Sequence, residues 1–285
     1  MSSVAEAGRN WEYSAFPVRV AAVQRISPGF VRITLAGPSL VHFAAWGLDQ
    51  RIKLVLPMPD GTRPEFGLLD EPTPHPQEWY ARWKQLPVER RNVLRTYTPS
   101  AIRPERAEID VDVYVHQPAG PASAWALSCA VGDELVLTGP DARVGYTGYG
   151  IHYTPPRPPS HVVLIGDESA LPAINNVVRQ RGDDARFEVF VELGDPADDM
   201  LVPLRDGDHT EIVRRRGVGG EALEEAIMRW DGAEEVAADP GAYVWIAGET
   251  GAAARMRRHL TATIGIDKER VAFLGYWKHG GPLVS

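Results

Sequence analysis

The chain of 285 residues has little of what several protein classes require. Its single cysteine, Cys129, permits no intrachain disulfide, and no apolar run is long enough to cross a bilayer. Basic residues are outnumbered, 30 Lys and Arg against 38 Asp and Glu, which argues against a nucleic-acid partner. Residues 1–6 have neither the basic nor the apolar region of a secretion signal. These absences predict a soluble cytoplasmic protein with no membrane insertion, and a monomer by default.

Strand patterns dominate the first half of the sequence. Two alternating stretches, 18–26 and 30–35, flank a Ser-Pro-Gly turn and predict a hairpin. Further strand patterns follow at 51–57, 109–116 and 133–138. Their spacing predicts a small closed antiparallel barrel.

A proline-rich connection separates this half from the rest of the chain. Residues 155–160 carry four prolines, which suit a stiff linker between a β-rich domain at 1–154 and a second domain at 161–285. In the second domain apolar strands alternate with helical patterns. That alternation predicts a parallel sheet with both faces covered by helices.

Two short patterns in the first domain indicate a flavin site. Arg95-Thr96-Tyr97-Thr98 offers a guanidinium for phosphate, a ring for stacking and a hydroxyl for the flavin edge. The Gly-Pro-Ala-Ser turn at 120–123 lets backbone N–H groups approach a pyrophosphate, and a short helix is predicted to open at Trp125. Between them, His116 could bond the cofactor or simply cap its strand.

Two strand-to-helix turns with glycine mark the second domain. Gly166-Asp167-Glu168-Ser169-Ala170 follows one apolar strand, and Gly248-Glu249-Thr250-Gly251 follows another. Neither is the G-x-G-x-x-G of dinucleotide-binding proteins. Both turns would lie at the carboxyl ends of a parallel sheet, where ligands of such sheets bind, although the glycines could equally serve only the turns.

Taken in order, these blocks resemble the siderophore-interacting proteins, flavin-dependent ferric-siderophore reductases related to ferredoxin–NADP reductases. The likeness runs from Val18 to Lys278 and includes Gly139-Pro140 and the terminal Gly275-Tyr276-Trp277-Lys278. It implies an N-terminal antiparallel Greek-key-type FAD barrel and a C-terminal parallel-sheet domain that binds NADH or NADPH. A cleft between them would admit the iron chelate.

The resemblance also assigns roles to individual residues. FAD would be held by Arg95, Thr96, Tyr97, Thr98, His116, Ala122, Ser123 and Trp125. The nicotinamide nucleotide would meet Gly166, Asp167, Glu168, Ser169, Ala170, Gly248 and Glu249. A ferric siderophore, expected to be anionic, would face Lys53 and Lys278, with Arg143 as a third candidate.

Two departures from the family pattern affect these expectations. Ser100 stands where the family's first motif commonly ends in arginine, and Arg103 is a candidate substitute for that phosphate contact. The sequence also ends seven residues after Lys278, without the C-terminal helix of many nicotinamide-using members. The donor therefore stays open: Glu192 would suit the ribose of NADH, Arg214–Arg216 would suit NADPH, and ferredoxin is a third possibility.

Electron counting explains why a flavin is required. NADH or NADPH delivers a hydride, Fe(III) accepts one electron, and a flavin converts between the two, so no protein side chain needs a catalytic role. Iron enters as a chelate and no resident metal is expected. Two alternatives remain: a flavoprotein reductase that uses ferredoxin or another acceptor, and a non-catalytic flavin or siderophore binder.

Overall fold

The computed structural model describes residues 12–58, 60–61, 66–71 and 73–280. Residues 1–6, on which the expectation of no secretion signal rests, and the last five residues lie outside that description. Contacts divide the chain into an N-terminal unit (residues up to Arg25, Val31–Trp46 and Gln50–Gly150) and a C-terminal unit (Ile26–Phe30, Gly47–Asp49 and residues from Ile151 onward). Domain boundaries at 154 and 161 stay sequence predictions. In the described chain no helix has the length and apolarity needed to span a membrane.

An antiparallel sheet forms the N-terminal unit. Its strands are β1 (Tyr13–Arg25), β2 (Phe30–Ala36), β3 (Ile52–Val55), β4 (Leu94–Tyr97), β5 (Ala101–Arg103), β6 (Glu108–Tyr114) and β7 (Glu134–Pro140). They lie in the order β4-β3-β7-β1-β2-β6-β5, and β1 and β2 form the predicted hairpin. The predicted antiparallel barrel class is confirmed, with one correction. The sheet is a curled half-barrel rather than a closed barrel, because edge strands β4 and β5 are not paired with each other in the described chain.

Buried and partly exposed side chains alternate along the strands, which shows which face of this sheet packs on the core. In β2 the side chains of Val31, Ile33 and Leu35 are buried, whereas the residues between them are partly exposed, as expected of a strand with one face on the core. Helix α2 (Pro121–Ser128) packs on β6. A second apolar cluster lies under helix α1 (Pro76–Gln85).

A five-stranded parallel sheet forms the C-terminal unit, which confirms the predicted α/β class. Its strands are β8 (His161–Asp167), β9 (Arg186–Leu193), β10 (His209–Arg214), β11 (Ala242–Glu249) and β12 (Val271–Trp277). Its helices are α3 (Leu171–Arg179), α4 (Glu221–Met228), α5 (Ala233–Ala238) and α6 (Thr250–Arg258). Every residue of β8 is buried, as in a sheet covered on both faces.

Two features of this unit differ from the sequence interpretation. Strand β10 carries few apolar residues and helix α5 is only six residues long, and neither stands out in the sequence. The helical pattern at residues 252–264 forms an α-helix only as far as Arg258 and continues as a π-helical turn, His259–Thr263.

Strand order β10-β9-β8-β11-β12 contains a switch point between β8 and β11. The chain moves from β8 outward to β9 and β10, and later from β11 outward in the other direction to β12. In open parallel sheets, ligands bind in the crevice beyond the carboxyl ends of the strands at such a point.

Candidate functional site

The first flavin pattern lies on β4, at one edge of the N-terminal sheet. Arg95 and Tyr97 pair with residues of β3 that face the core, so their side chains share the core-facing side of the sheet. Thr96 is exposed and Thr98 is buried. Burial raises the pKa of the Tyr97 phenol to about 12, although the Arg95 guanidinium acts in the opposite direction.

The second pattern forms the start of α2. This helix was predicted to open at Trp125, but it begins one turn earlier, at Pro121, because the fixed φ of proline suits the first helical position. Gly120 precedes it in an extended conformation, and no side chain caps the helix. First-turn amides such as those of Ala122 and Ser123 have no intrahelical partner, and the helix dipole favours an anion beside them.

His116 lies beside this helix start. It is exposed, and a Cβ at Gly120 would come within 3.3 Å of the Cε1 and Nε2 atoms of its ring. A side chain at position 120 would therefore crowd the imidazole, whereas glycine leaves the backbone open to close approach.

Trp125 supplies the clearest sign that this unit is built to hold another group. Its ring packs against the same apolar cluster as Tyr97. Its Nε1 is buried and has no hydrogen-bond partner within the described part of the chain. A buried donor without a partner costs about 1–3 kcal/mol, which an acceptor on a bound ligand would recover. The orphaned indole N–H, the uncapped helix start and Gly120 together fit a pyrophosphate-bearing cofactor such as FAD.

Position 100, where the resemblance leads us to expect arginine, is tied into its own sheet. The amide and hydroxyl of Ser100 both donate to the Asp110 carbonyl, at 2.9 and 3.3 Å. Arg103 donates to both carboxylate oxygens of Asp110, at 2.8 and 2.7 Å. The suggested substitute is therefore already engaged by a carboxylate.

The residues expected to face the chelate are divided between the units. Lys53 lies on β3, and burial together with the charge of Arg51 lowers the pKa of its ammonium. Arg143 follows β7, and its guanidinium donates to both oxygens of buried Asp141, at 2.9 and 2.6 Å, while 42% of the side chain stays exposed. Lys278 is exposed at the end of β12 in the C-terminal unit.

Both glycine turns of the C-terminal unit meet at the switch point. Gly166 near the end of β8 pairs with Ala247 of β11. A Cβ on Gly248 would lie 2.6 Å from the Oδ2 of Asp167, and its φ of +149° is one that L side chains rarely adopt. A Cβ on Gly166 would lie 2.5 Å from that of Ala170. The close approach of the two turns requires glycine at both positions.

Carboxylates in these turns bond to the protein itself. Asp167 accepts from the Ser169 amide at 2.9 Å and from the Trp277 indole at 2.7 Å. Burial raises the pKa of Asp167, although these bonds favour its charged form. Glu249 accepts from the Ala252 amide at 2.8 Å and caps α6. Sequence reasoning gave Trp277 no role, because its partner is 110 positions away.

Glu168 and Glu192 share one arginine. Arg215 donates to both carboxylates, to Glu192 at 2.9 Å. Glu192 is fully buried and also accepts from the amides of Gly220 and Leu223, at 2.8 and 3.1 Å, at the start of α4.

These contacts correct two sequence interpretations. Glu192 was a candidate for the ribose of NADH, but its oxygens are engaged inside the protein. Arg215 belongs to the same network, so only Arg214 and Arg216 of the basic run remain exposed.

A curled antiparallel sheet with a helix start that can accept an anion is followed in the chain by a parallel sheet with a switch point. A model of the siderophore-interacting FAD-binding domain matches residues 19–144, and a model of the siderophore-interacting protein matches residues 159–280. The chain belongs to the siderophore-interacting protein family, and FAD is its cofactor. The predicted family and cofactor are thus confirmed.

Three relatives illustrate the likeness. The chain is 28% identical to the mycobactin import ATP-binding/permease protein IrtA of Mycolicibacterium smegmatis over 92% of its own length, but spans only 26% of that protein. It is 28% identical to the NADPH-dependent ferric-chelate reductase of Escherichia coli, over 90% of this chain and 91% of the relative. The crystal structure of the siderophore-interacting protein SipS from Aeromonas hydrophila matches with a TM-score of 0.70 and 28% identity, over 94% and 93% of the two chains.

Proposed function

We propose that this protein is an FAD-dependent ferric-siderophore reductase that takes electrons from NADPH and releases Fe(II) in the cytoplasm. The observation that carries the proposal is the orphaned Nε1 of Trp125 beside the uncapped start of α2, within the segment that matches an FAD-binding domain. The E. coli relative, whose name specifies ferric-chelate reduction, supports the choice of acceptor.

The side chains and amides of the N-terminal unit would hold the cofactor. The amides of Ala122 and Ser123 would meet the pyrophosphate, and the Trp125 indole would donate to a cofactor oxygen. Tyr97 would pack against the flavin, with Arg95 as the adjacent cation and Thr98 as a further hydrogen-bonding group. When bound, FAD accepts two electrons from a hydride donor and passes them on singly.

Cationic side chains would attract the substrate. Lys53 is held partly buried at a cost in desolvation, and an anionic ligand near it would favour its charged form. Lys278 and Arg143 add two exposed cations on their own units. The hard oxygen ligands that hold Fe(III) bind the larger, softer Fe(II) less firmly, so reduction itself frees the metal.

The C-terminal unit favours NADPH over NADH as donor. A ribose-binding carboxylate is what distinguishes NADH sites in doubly wound sheets, and Glu192, at that position, is fully buried and bonded to Arg215 and two amides. Arg214, the last residue of β10, and Arg216, two residues further on, are both exposed. A guanidinium suits a 2'-phosphate.

Anaerobic stopped-flow spectroscopy tests the proposal. The purified protein, loaded with FAD, should be bleached at 450 nm by NADPH, more slowly by NADH, and recoloured by a ferric siderophore while a ferrous trap collects Fe(II). Bleaching by reduced ferredoxin alone would show that ferredoxin, and not NADPH, is the electron donor. A protein that binds FAD but passes no electrons to any ferric chelate would instead be a binder. Lys53→Ala and Lys278→Ala should each raise the Michaelis constant for an anionic chelate with unchanged flavin content.

A further inference from the structure

Lys278 follows a residue whose side chain and main chain are both bonded to the rest of the C-terminal unit. That residue is Trp277, the last of β12. Its indole Nε1 donates to Oδ2 of Asp167 at 2.7 Å, and its carbonyl accepts from Oγ1 of Thr250 at 2.8 Å. Its ring lies so close to Gly219 that a Cβ there would come within 2.8 Å of Cη2. The main chain that leads into Lys278 therefore has a fixed position in this unit.

The two partners of Trp277 are themselves held firmly. Asp167 is buried at the end of β8 and accepts from the Ser169 amide at 2.9 Å, and Gly248 leaves no room beside its carboxylate for a side chain. Thr250 opens α6 and packs against β12, where a Cβ at Gly275 would collide with its hydroxyl. Both bonds thus connect Trp277 to rigid parts of the sheet and of the helix start.

The chain is bonded again on the other side of Lys278. The amide of His279 donates to Oε1 of Glu249 at 3.4 Å. The second oxygen of the same carboxylate accepts from the Ala252 amide at 2.8 Å and caps α6. The lysine is exposed between two bonded neighbours, so its main chain is constrained while its side chain remains accessible to a ligand.

Such a constraint matters for lysine in particular. The ammonium is carried on a flexible four-carbon stem, so a fixed main chain limits the volume that the charge can reach. Part of the freedom that a ligand would otherwise have to remove is then already lost on folding, which favours binding.

From these contacts we infer that Trp277 is a positioning residue for Lys278. Through its bonds to Asp167 and Thr250 it holds the lysine where the ammonium meets an anionic ferric chelate. The inference rests on the proposed function and adds to it a residue that acts only through another.

Substitutions at the two bonds test this role. Trp277→Phe keeps an aromatic ring and loses the indole N–H. Thr250→Val keeps the shape of the side chain and loses the hydroxyl, whereas Thr250→Ser retains the hydroxyl. Trp245→Phe is the matched control, because the indole of Trp245 also donates to a buried carboxylate of the same unit, that of Asp49, at 3.0 Å.

The probes are two anionic complexes of diethylenetriaminepentaacetate. The iron(III) complex reports kcat and KM, and the redox-inert gallium(III) complex reports Kd by calorimetric titration of the FAD-loaded protein. Lys278→Gln should raise KM and Kd about fivefold with kcat unchanged. Trp277→Phe and Thr250→Val should each raise them about threefold, and Thr250→Ser should behave like the wild type.

A double variant separates positioning from an independent effect. Because Trp277→Phe acts through the lysine, its combination with Lys278→Gln should still raise Kd about fivefold, whereas independent effects would multiply to about fifteenfold. Trp245→Phe should lower the melting temperature and leave KM and Kd unchanged.

Three results would overturn the inference: effects that multiply in the double variant, an equal rise of Kd in Trp245→Phe, or unchanged binding of the gallium complex in Lys278→Gln. A wild type that binds the gallium complex but reduces no ferric chelate refutes the proposed reductase function instead. In that case the gallium titrations still decide the role of Trp277.

Discussion

The N-terminal and C-terminal units differ in whether the polar groups near their candidate sites have hydrogen-bond partners within the protein. Near the start of α2 the buried indole N–H of Trp125 has no partner among the described residues, and the N-cap residue, Gly120, has no side chain with which to cap the helix. At the switch point of the C-terminal unit the carboxylates of Asp167, Glu168, Glu192 and Glu249 are all bonded to amides, an indole or an arginine.

This difference distinguishes polar groups that a ligand can satisfy from polar groups that already stabilise the protein's own loops. An unsatisfied buried donor destabilises the protein alone and is retained where a ligand satisfies it. A satisfied buried carboxylate stabilises its own loops and has little left to offer a ligand. Under the proposed function, a nucleotide on the C-terminal unit would meet the backbone of the glycine turns and the exposed Arg214 and Arg216.

The largest effect should come from Glu192→Ala. This change leaves Arg215 with one carboxylate and two buried amides without acceptors, so we expect a loss of about 3–5 kcal/mol in the free energy of unfolding, measured by urea denaturation. Glu225→Ala, which breaks only exposed pairs with Arg216 and Arg229, is the control and should stay within about 0.5 kcal/mol. Similar values for the two variants would contradict the scaffold role of Glu192.

Asp141→Asn should lower the free energy of unfolding by about 2 kcal/mol at pH 7. The variant's free energy of unfolding should also depend less on pH in the acid range than that of the wild type. Burial alone would raise the pKa of Asp141, but the Arg143 guanidinium and the Ser14 hydroxyl hold it at about 2. Because this folded value lies below the unfolded one, the carboxylate stabilises the protein above about pH 4, and that contribution is lost as the pH falls toward 2. Unfolding measured from pH 7 to 3 checks the change. A variant as acid-sensitive as the wild type would contradict it.

Trp125→Phe tests the N-terminal side of the comparison. Without FAD the variant should unfold at the same temperature as the wild type or slightly higher, since it loses a donor that has no partner. Its affinity for FAD, measured by fluorescence titration, should fall about three- to tenfold. Trp245→Phe is the contrast, because its indole bonds buried Asp49 at 3.0 Å and its loss should destabilise the protein. Unchanged FAD affinity in Trp125→Phe would show that the indole N–H does not bond to FAD.

The smallest effect is expected at Arg216. Arg216→Ala should raise the Michaelis constant for NADPH about threefold and leave that for NADH unchanged, because an exposed guanidinium contributes modestly to phosphate binding. Arg229→Ala is the matched control, since this exposed arginine also pairs with Glu225. Equal effects on the two nucleotides would show that Arg216 does not recognise the 2'-phosphate.

Local sequence patterns were sufficient to predict most of the fold. The hairpin and the apolar strands β8, β9, β11 and β12 follow from alternation and hydrophobic runs. The polar strand β10 and the short helix α5 could not be found this way, because neighbouring strands and helices stabilise them. The start of α2 was misplaced because a Pro at the first helical position was taken for part of a turn.

The sequence by itself determined the hairpin, the apolar strands of the C-terminal unit and the two flavin patterns. Only the tertiary structure decided which polar groups remain available to ligands. Glu192 and Arg215, or Asp167 and Trp277, meet only when distant segments pack. Burial then makes each such bond obligatory, since a buried charge or donor without a partner is costly. The same folding left the Trp125 indole without a partner in the part of the chain that the structure describes, and it placed Tyr146 on the surface.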